Sequence, residues 1–170
     1  MQGNLSEIEV IIEIPKGCRN KYEYDPERNL FRLDRRLFSS VHYPSDYGFI
    51  PGTLAEDEDP LDAMVLIAEP TFPGCLILSR PIGLFKMKDE KGLDHKILCV
   101  PIKDPEWNYI HRLRDVPPHL LLEIFHFFNI YKELEGKESV PEGWEDVDSA
   151  KTVIDQARER YALSKMPVTR

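Results

Sequence analysis

The stretch EDEDPLD, residues 56–62, puts five carboxylates into seven positions and runs directly into the uncharged AMVLIA (63–68). Like charges this dense at the border of a buried element need a counter-charge. Asp57 and Asp59 are two residues apart, so in an extended backbone they project from one face. Pro60 bends the chain, and Asp62 can return to that face where the buried strand begins. Three hard oxygen donors on one face are what Mg²⁺ or Ca²⁺ requires. Carboxylates a few Å apart repel by about 1 kcal/mol per pair in water, and a bound divalent cation reverses that sign. Two plainer readings compete. A solvated acidic loop is common. A calcium loop of the EF-hand type fails, because its sixth position needs Gly and holds Asp62, and its twelfth needs Glu and holds Ala68.

Other charged residues fit the same chemistry. Asp89, Glu90 and Asp94 form a second acidic group at the tip of an expected hairpin, and Glu13 interrupts the apolar strand IIEIP. Lys21, Glu23, Arg35, Lys96 and Lys132 are scattered along elements that otherwise look half-buried. Ordinary surface charge is the default for each. The alternative is a site for a multiply anionic ligand, where Arg offers bidentate contacts and Lys a point charge. Tyr43, Tyr47 and Tyr131 could add hydroxyls, although such tyrosines more often pack. A site holding metal and phosphate together gives both signs of charge a task. No competing motif occurs: there is no G-x-x-x-x-G-K-[ST], G-x-G-x-x-G or G-x-S-x-G. His42, His95, His111, His119 and His126 show no zinc spacing.

The elements that must position these groups are strands first and helices afterwards. EVIIEI (9–14), KYEYD (21–25), LFRLDRRLF (30–38), DYGFIPGTL (46–54), AMVLIAE (63–69), CLILSRPIGLFKMKD (75–89) and DHKILCVPIK (94–103) read as strands, with hairpin loops at 25–29 and 89–94. Residues 117–136 open on prolines, close on Gly136 and carry Leu121, Ile124, Phe125, Phe128 and Tyr131 at helical spacing. Asp148 is the expected cap of a second helix, with Ala150, Val153, Ile154, Ala157 and Tyr161 as its buried stripe and a frayed end after Ser164. The class is α+β, a barrel or sandwich packed by helices.

A chain of 170 residues, 42% hydrophobic and 31% charged, suits one domain spanning 1–170. The net charge of −8 argues against nucleic acid as the main partner. Cys18, Cys75 and Cys99 are odd in number and widely spaced, as reduced thiols would be. The N-terminus does not read as a signal peptide, and no apolar stretch approaches the roughly 20 residues of a membrane helix. The expected location is the cytoplasm, away from membranes.

With these residues in view, the chain resembles the soluble inorganic pyrophosphatases of family I, in their short prokaryotic form. Asp57-x-Asp59-Pro60-Leu61-Asp62 is similar to that family's signature. So are IEIPKG with Lys21-Tyr22-Glu23, Asp34-Arg35, YPSDYGFIPGTL (43–54), FPGC with RPIGLFKMKDEKGLDHKILCVP (80–101), DVPPHLLLEIFHFFNIYKELEG (115–136) and Gly143-Trp144. The resemblance implies a predominantly β barrel of the oligonucleotide-binding type (OB-like) with two flanking C-terminal helices. It implies Mg²⁺-dependent hydrolysis of pyrophosphate to two phosphates, with several ions per site and Mn²⁺ or another divalent ion as a possible substitute, in a homohexamer. By the same resemblance Asp57, Asp62 and Asp94 are the principal metal ligands, Asp89 and Glu13 hold further metal positions, and Asp59 is the base on the attacking water. Lys21, Arg35, Tyr47, Tyr131 and Lys132 grip phosphate oxygens, supported by Lys96 and Glu23. Glu58 departs from the pattern, since the second signature position usually holds Gly, Asn, Ser or Asp, residues that suit a tight backbone. A competing class is a non-catalytic OB-like module that binds divalent metal or a basic partner; phosphate release from pyrophosphate, with and without chelator, separates the two.

Overall fold

In the computed structural model, which describes residues 6–166, the elements run β1 (Ile8–Ile14), β2 (Asn20–Asp25), β3 (Leu30–Arg36), β4 (Asp46–Phe49), β5 (Asp62–Val65), β6 (Leu76–Asp89), β7 (Gly92–Leu93), β8 (Lys96–Pro101), α1 (Pro118–Ile130), β9 (Ser139–Asp146) and α2 (Val147–Ser164). The expected strands all form, several of them shorter than their apolar runs. DYGFIPGTL is extended only to Phe49, because a turn at Pro51 and Gly52, with φ of 72° at Gly52, breaks it. The expected 117–136 helix ends at Ile130, and a 3-10 turn over Glu133–Glu135 follows, closed by Gly136 in the left-handed region. Asp146, not Asp148, is the N-cap of α2.

Pairing joins the strands into a ring. β1 pairs with β4, β4 with β5, β5 with β8, β8 with β6, and β6 returns to β1. Only the β5–β8 contact in this ring is parallel. β7 and β9 extend from β6, while β2 and β3 form a separate hairpin. β1 and β4 approach so closely at Gly48 that a Cβ there would lie 1.9 Å from the Ile11 carbonyl oxygen. Gly is the residue that fits this contact.

Sequence reading missed the two-residue β7, which falls inside the expected 89–94 loop, and it also missed β9. SVPEGWED contains Pro and Gly and alternates weakly, and it falls between two helices. It forms because it lies at a sheet edge, where Pro141 need not donate. Trp144 packs on Phe85 at 4.8 Å between ring centroids, and Lys86–Glu145 and Lys88–Glu142 cross the pair. The order is therefore strands, helix, strand, helix, in a sheet-dominated fold with two helices.

β4, β5 and β8 are buried on both faces, which explains apolar runs such as AMVL and ILCV, while β1 and the start of β6 alternate. One core joins Ile14, Tyr47, Met64, Phe85 and Leu98 to Ile124, Phe127 and Phe128 of α1. The other joins Val10, Ile12, Ala63, Ile97 and Cys99 to Ala150, Ile154 and Ala157 of α2. Val153 is only partly buried and Tyr161 is exposed, so the expected stripe of α2 is narrower than its sequence pattern. Tyr43 belongs to the α1 core, fully desolvated, in the packing role that is the commoner one for such a tyrosine.

Candidate active site

The centre of the site follows from strand register. Parallel pairing sets Asp62 of β5 directly beside Lys96 of β8, and antiparallel pairing sets Tyr47 of β4 beside Met64. The buried Lys96 ammonium, 1% exposed, donates to Asp62 Oδ2 at 2.9 Å, Asp94 Oδ1 at 3.0 Å and Tyr47 Oη at 2.8 Å. The Tyr47 hydroxyl donates in turn to Asp62 Oδ2 at 2.7 Å. Lys96 also lies over the rings of Tyr47 and Phe128.

A cleft of ≈ 170 Å³ opens beside this centre, lined by Asp57, Asp62 and Asp94 together with His95 and, from α2, Gln156 and Arg160. The three carboxylates singled out in sequence therefore converge on one space. Burial pushes the Asp57 carboxyl up, and nearby Asp59 and Asp94 add to it. Burial also pushes Asp62 up against the opposing pull of Lys96. At Asp94 burial is outweighed by Lys96 and Lys132, and its carboxyl lies below the usual range. Glu13 is pushed up to about 7, mainly by burial, with the Tyr24 N–H opposing and Asp62 reinforcing. Among the described residues no three His, Cys, Asp or Glu side chains form a closed metal-ligand set. The ammonium of Lys96 lies between two of the acids in the place of a cation.

Asp59 is exposed on the loop that follows Leu54. That loop is closed by Ala55 N–H to Asp59 O at 2.7 Å and by Asp59 N–H to Asp57 Oδ1 at 3.1 Å. Glu58 sits at its tip with φ of 69°, so the departure from small residues falls on a left-handed backbone. The loop is tied to α2 by Leu54 N–H to Ala157 O and by Arg160 Nε–H to Leu54 O, both 2.9 Å.

The remaining predicted residues form two cationic groups. On the β2–β3 hairpin, Lys21 pairs with Glu23 at 2.6 Å and with Asp34 at 3.6 Å, and Arg35 pairs with Asp34. After α1, Tyr131 is buried among Phe127 and Phe128, and Lys132 reaches Asp89 Oδ2 at 3.4 Å. Arg35 joins the groups, its Nε lying 2.6 Å from Glu135 Oε1. Asp34, Glu135 and Arg160 were not among the predicted site residues. Asp34 is flanked by the predicted Arg35, which was a usable signal. Glu135 and Arg160 sit on surface-like helical patterns that carry none.

Comparison with known proteins identifies the family. Residues 10–162 match the Pyrophosphatase family, described as inorganic pyrophosphatase. The chain is 60% identical over 156 residues to an inorganic pyrophosphatase of Methanosarcina mazei, covering 92% of each. It is 53% identical over 154 residues to one from Synechocystis, covering 91% of each. The solved structure of inorganic pyrophosphatase from Thermus thermophilus superposes with a TM-score of 0.91 at 42% identity, covering 95% of each chain. A cleft lined by Asp57, Asp62 and Asp94 thus accompanies a match over nearly the whole chain, and this protein belongs to the inorganic pyrophosphatase family.

Proposed function

We propose that this chain hydrolyses inorganic pyrophosphate to two phosphates with Mg²⁺ held by the carboxylates of the cleft, and Mn²⁺ as a working substitute. The observation that carries the reading is the convergence of Asp57, Asp62 and Asp94 on one cleft, next to cations that suit phosphate oxygens. The donors fit a hard divalent cation in kind, being carboxylate oxygens crowded enough that burial and mutual repulsion raise Asp57, Asp62 and Glu13. Asp57, Asp62 and Asp94 would be the principal ligands, with Asp89 and Glu13 serving further ions. When bound there, such ions polarise phosphoryl oxygens and lower the pKa of water.

The chain's own residues do the rest. Asp59, on the solvent side of the cleft and close to Asp57, takes the proton from the attacking water. Arg35, Lys21, Lys132 and the hydroxyls of Tyr47 and Tyr131 hold phosphate oxygens and spread the charge of the leaving phosphate. Lys96 and Glu23 orient these groups, Lys96 through Asp62, Asp94 and Tyr47, and Glu23 through Lys21 and Arg32. The same reading takes residues 1–170 as one domain, the five-strand ring as an OB-type barrel, the assembly as a homohexamer and the location as the cytoplasm. Leu122, 65% exposed on α1, supports that helix as a contact surface, and sedimentation tests it.

The functional test is phosphate release from pyrophosphate, with and without chelator, on wild type and Asp59→Asn. The expected result is chelator-sensitive release that Asp59→Asn lowers by roughly 10²–10⁴ without a change in melting. Release unaffected by chelator would remove the metal role, and near-normal turnover in the variant would remove Asp59 as base.

A further inference from the structure

Arg35 is held by two carboxylates, and they differ in what they can do. Asp34 is its sequence neighbour on an open hairpin, 26% exposed, and shares its oxygen with Lys21. Glu135 comes from the other side of the site, and its side chain is only 4% exposed. Its backbone is fixed, since Glu135 N–H donates to Lys132 O at 3.0 Å and Gly136 N–H to Glu133 O at 3.0 Å. The Nε of Arg35 lies 2.6 Å from Glu135 Oε1, although its N–H is not aligned on that oxygen. Oε2 of Glu135 is buried with no hydrogen-bond partner among the described residues. A buried carboxylate with an unused oxygen beside a guanidinium has the acceptors for a two-bond fork.

We propose that Glu135 is a positioning residue for the reaction: it anchors Arg35 along the Nε edge, and the second Nη2 N–H, which points away from that edge, receives an oxygen of pyrophosphate. An arginine side chain has several rotatable bonds, and the freedom it loses on gripping an anion weakens the grip unless it is already held. Asp34 alone, short and partly exposed, holds only Nη1. Glu135 adds a buried anchor three residues from Lys132, so the hairpin and the end of α1 present their cations as one unit. This rests on the proposed contact between Arg35 and substrate.

The test is steady-state kinetics with pyrophosphate at saturating Mg²⁺ on Glu135→Ala, Glu135→Gln, Arg35→Ala and the double variants, each with its melting temperature. The isosteric Glu135→Gln keeps the measurement possible should the alanine variant not fold. Glu135→Ala is expected to lower kcat/KM by roughly 10-fold or more, chiefly through KM, with Glu135→Gln between it and wild type. In the Arg35→Ala background, either Glu135 substitution should change kcat/KM by less than about 2-fold. Equal losses in both backgrounds would mean a structural role and overturn the inference. So would normal kinetics in the Glu135 variants while Arg35→Ala is impaired, and that result leaves the role of Arg35 standing. Normal kinetics in Arg35→Ala would remove the substrate contact itself and the inference with it.

Discussion

Replacing Lys96 by Met tests whether the acids of the cleft are held together by charge. The substitution keeps the length of the side chain and its packing on Phe128, and removes one ammonium that touches Asp62 at 2.9 Å, Asp94 at 3.0 Å and Tyr47 at 2.8 Å. Each ionic contact at this range has a gross attraction of about 5 kcal/mol at an effective dielectric of 20. Desolvation of a fully buried lysine offsets much of this. Removing one partner of a buried ion pair nevertheless costs about 3–5 kcal/mol, because the other charges stay buried. In a chain of this size that lowers the melting temperature by roughly 6–20 °C.

Two further arms separate charge from packing. In wild type the Asp94 carboxyl lies below its usual range, so its contribution is present at neutral pH and lost as pH falls through the folded value. In Lys96→Met the two acids face each other without their cation, and their folded values must rise. The stability deficit of the variant should therefore be larger at pH 7.5 than at pH 5. Millimolar Mg²⁺ should recover part of the deficit at pH 7.5, since a divalent ion supplies the missing charge. Thermal melts with chelator and with Mg²⁺ at both pH values give the answer. A deficit independent of pH and of Mg²⁺ would refute the argument, and show that Lys96 acts by filling space.

Glu13→Gln should stabilise the metal-free protein at pH 8, by at most about 3 kcal/mol. The Glu13 carboxyl is raised from 4.5 to about 7, so its contribution is full below 4.5 and is lost as pH rises through about 7. Melts in chelator across pH 4–8 would show the wild-type decline and its reduction in the variant, and identical profiles would contradict it. Glu58→Asn should raise the melting temperature by roughly 2–4 °C, because a non-glycine residue at φ of 69° costs about 1 kcal/mol that Asn largely avoids; a lower melting temperature would count against strain at that position. Cys99 is fully buried and its thiol is pushed up by burial, so Ellman's reagent should leave it unreacted in the native protein and reach all three cysteines only on unfolding. Lys132→Ala should raise KM for pyrophosphate by roughly 10-fold, the loss of one charged contact, while metal binding by calorimetry changes little. A larger effect on metal affinity than on KM would assign Lys132 to Asp89 alone.

Most of the ring was legible because its signals are local. β-branched runs and alternation gave β1, β2, β3, β5, β6 and β8, but the extended backbone expected to put Asp57 and Asp59 on one face is a turn instead, with Glu58 left-handed between them. β9 was not legible, since its Pro141 and Gly143 are read as breakers unless an edge position beside β6 is known in advance. Around the cleft, the acids Asp57, Asp62 and Asp94, the cations Lys21, Arg35, Lys96 and Lys132 and the hydroxyls of Tyr47 and Tyr131 could be named as candidates from residue type, and Glu135 could not. Glu135 looks like any solvated acid after a helix, and it becomes a buried partner of Arg35 only when the hairpin packs against it. Burial of a charged side chain is a property of tertiary contact, and no pattern within one segment records it.

Strand register ties the fold to the site. Asp62 stands opposite Lys96 in β8 and opposite Phe49 in β4. Met64, two residues on, feeds the α1 core, while Ala63 and Val65 feed the α2 core. A slip of one residue in β5 would send Met64 to the wrong core and turn the Asp62 carboxylate away from Lys96 in the same movement. The apolar alternation that forbids such a slip is thus also what aims the acid. At Glu13 the constraint itself breaks: the β1–β4 register shifts between Ile12 and Ile14, so Ile12 packs with the α2 core while Ile14, paired with Tyr47, packs with the α1 core. The placement of Asp62 therefore needs little specification beyond what the two cores already impose.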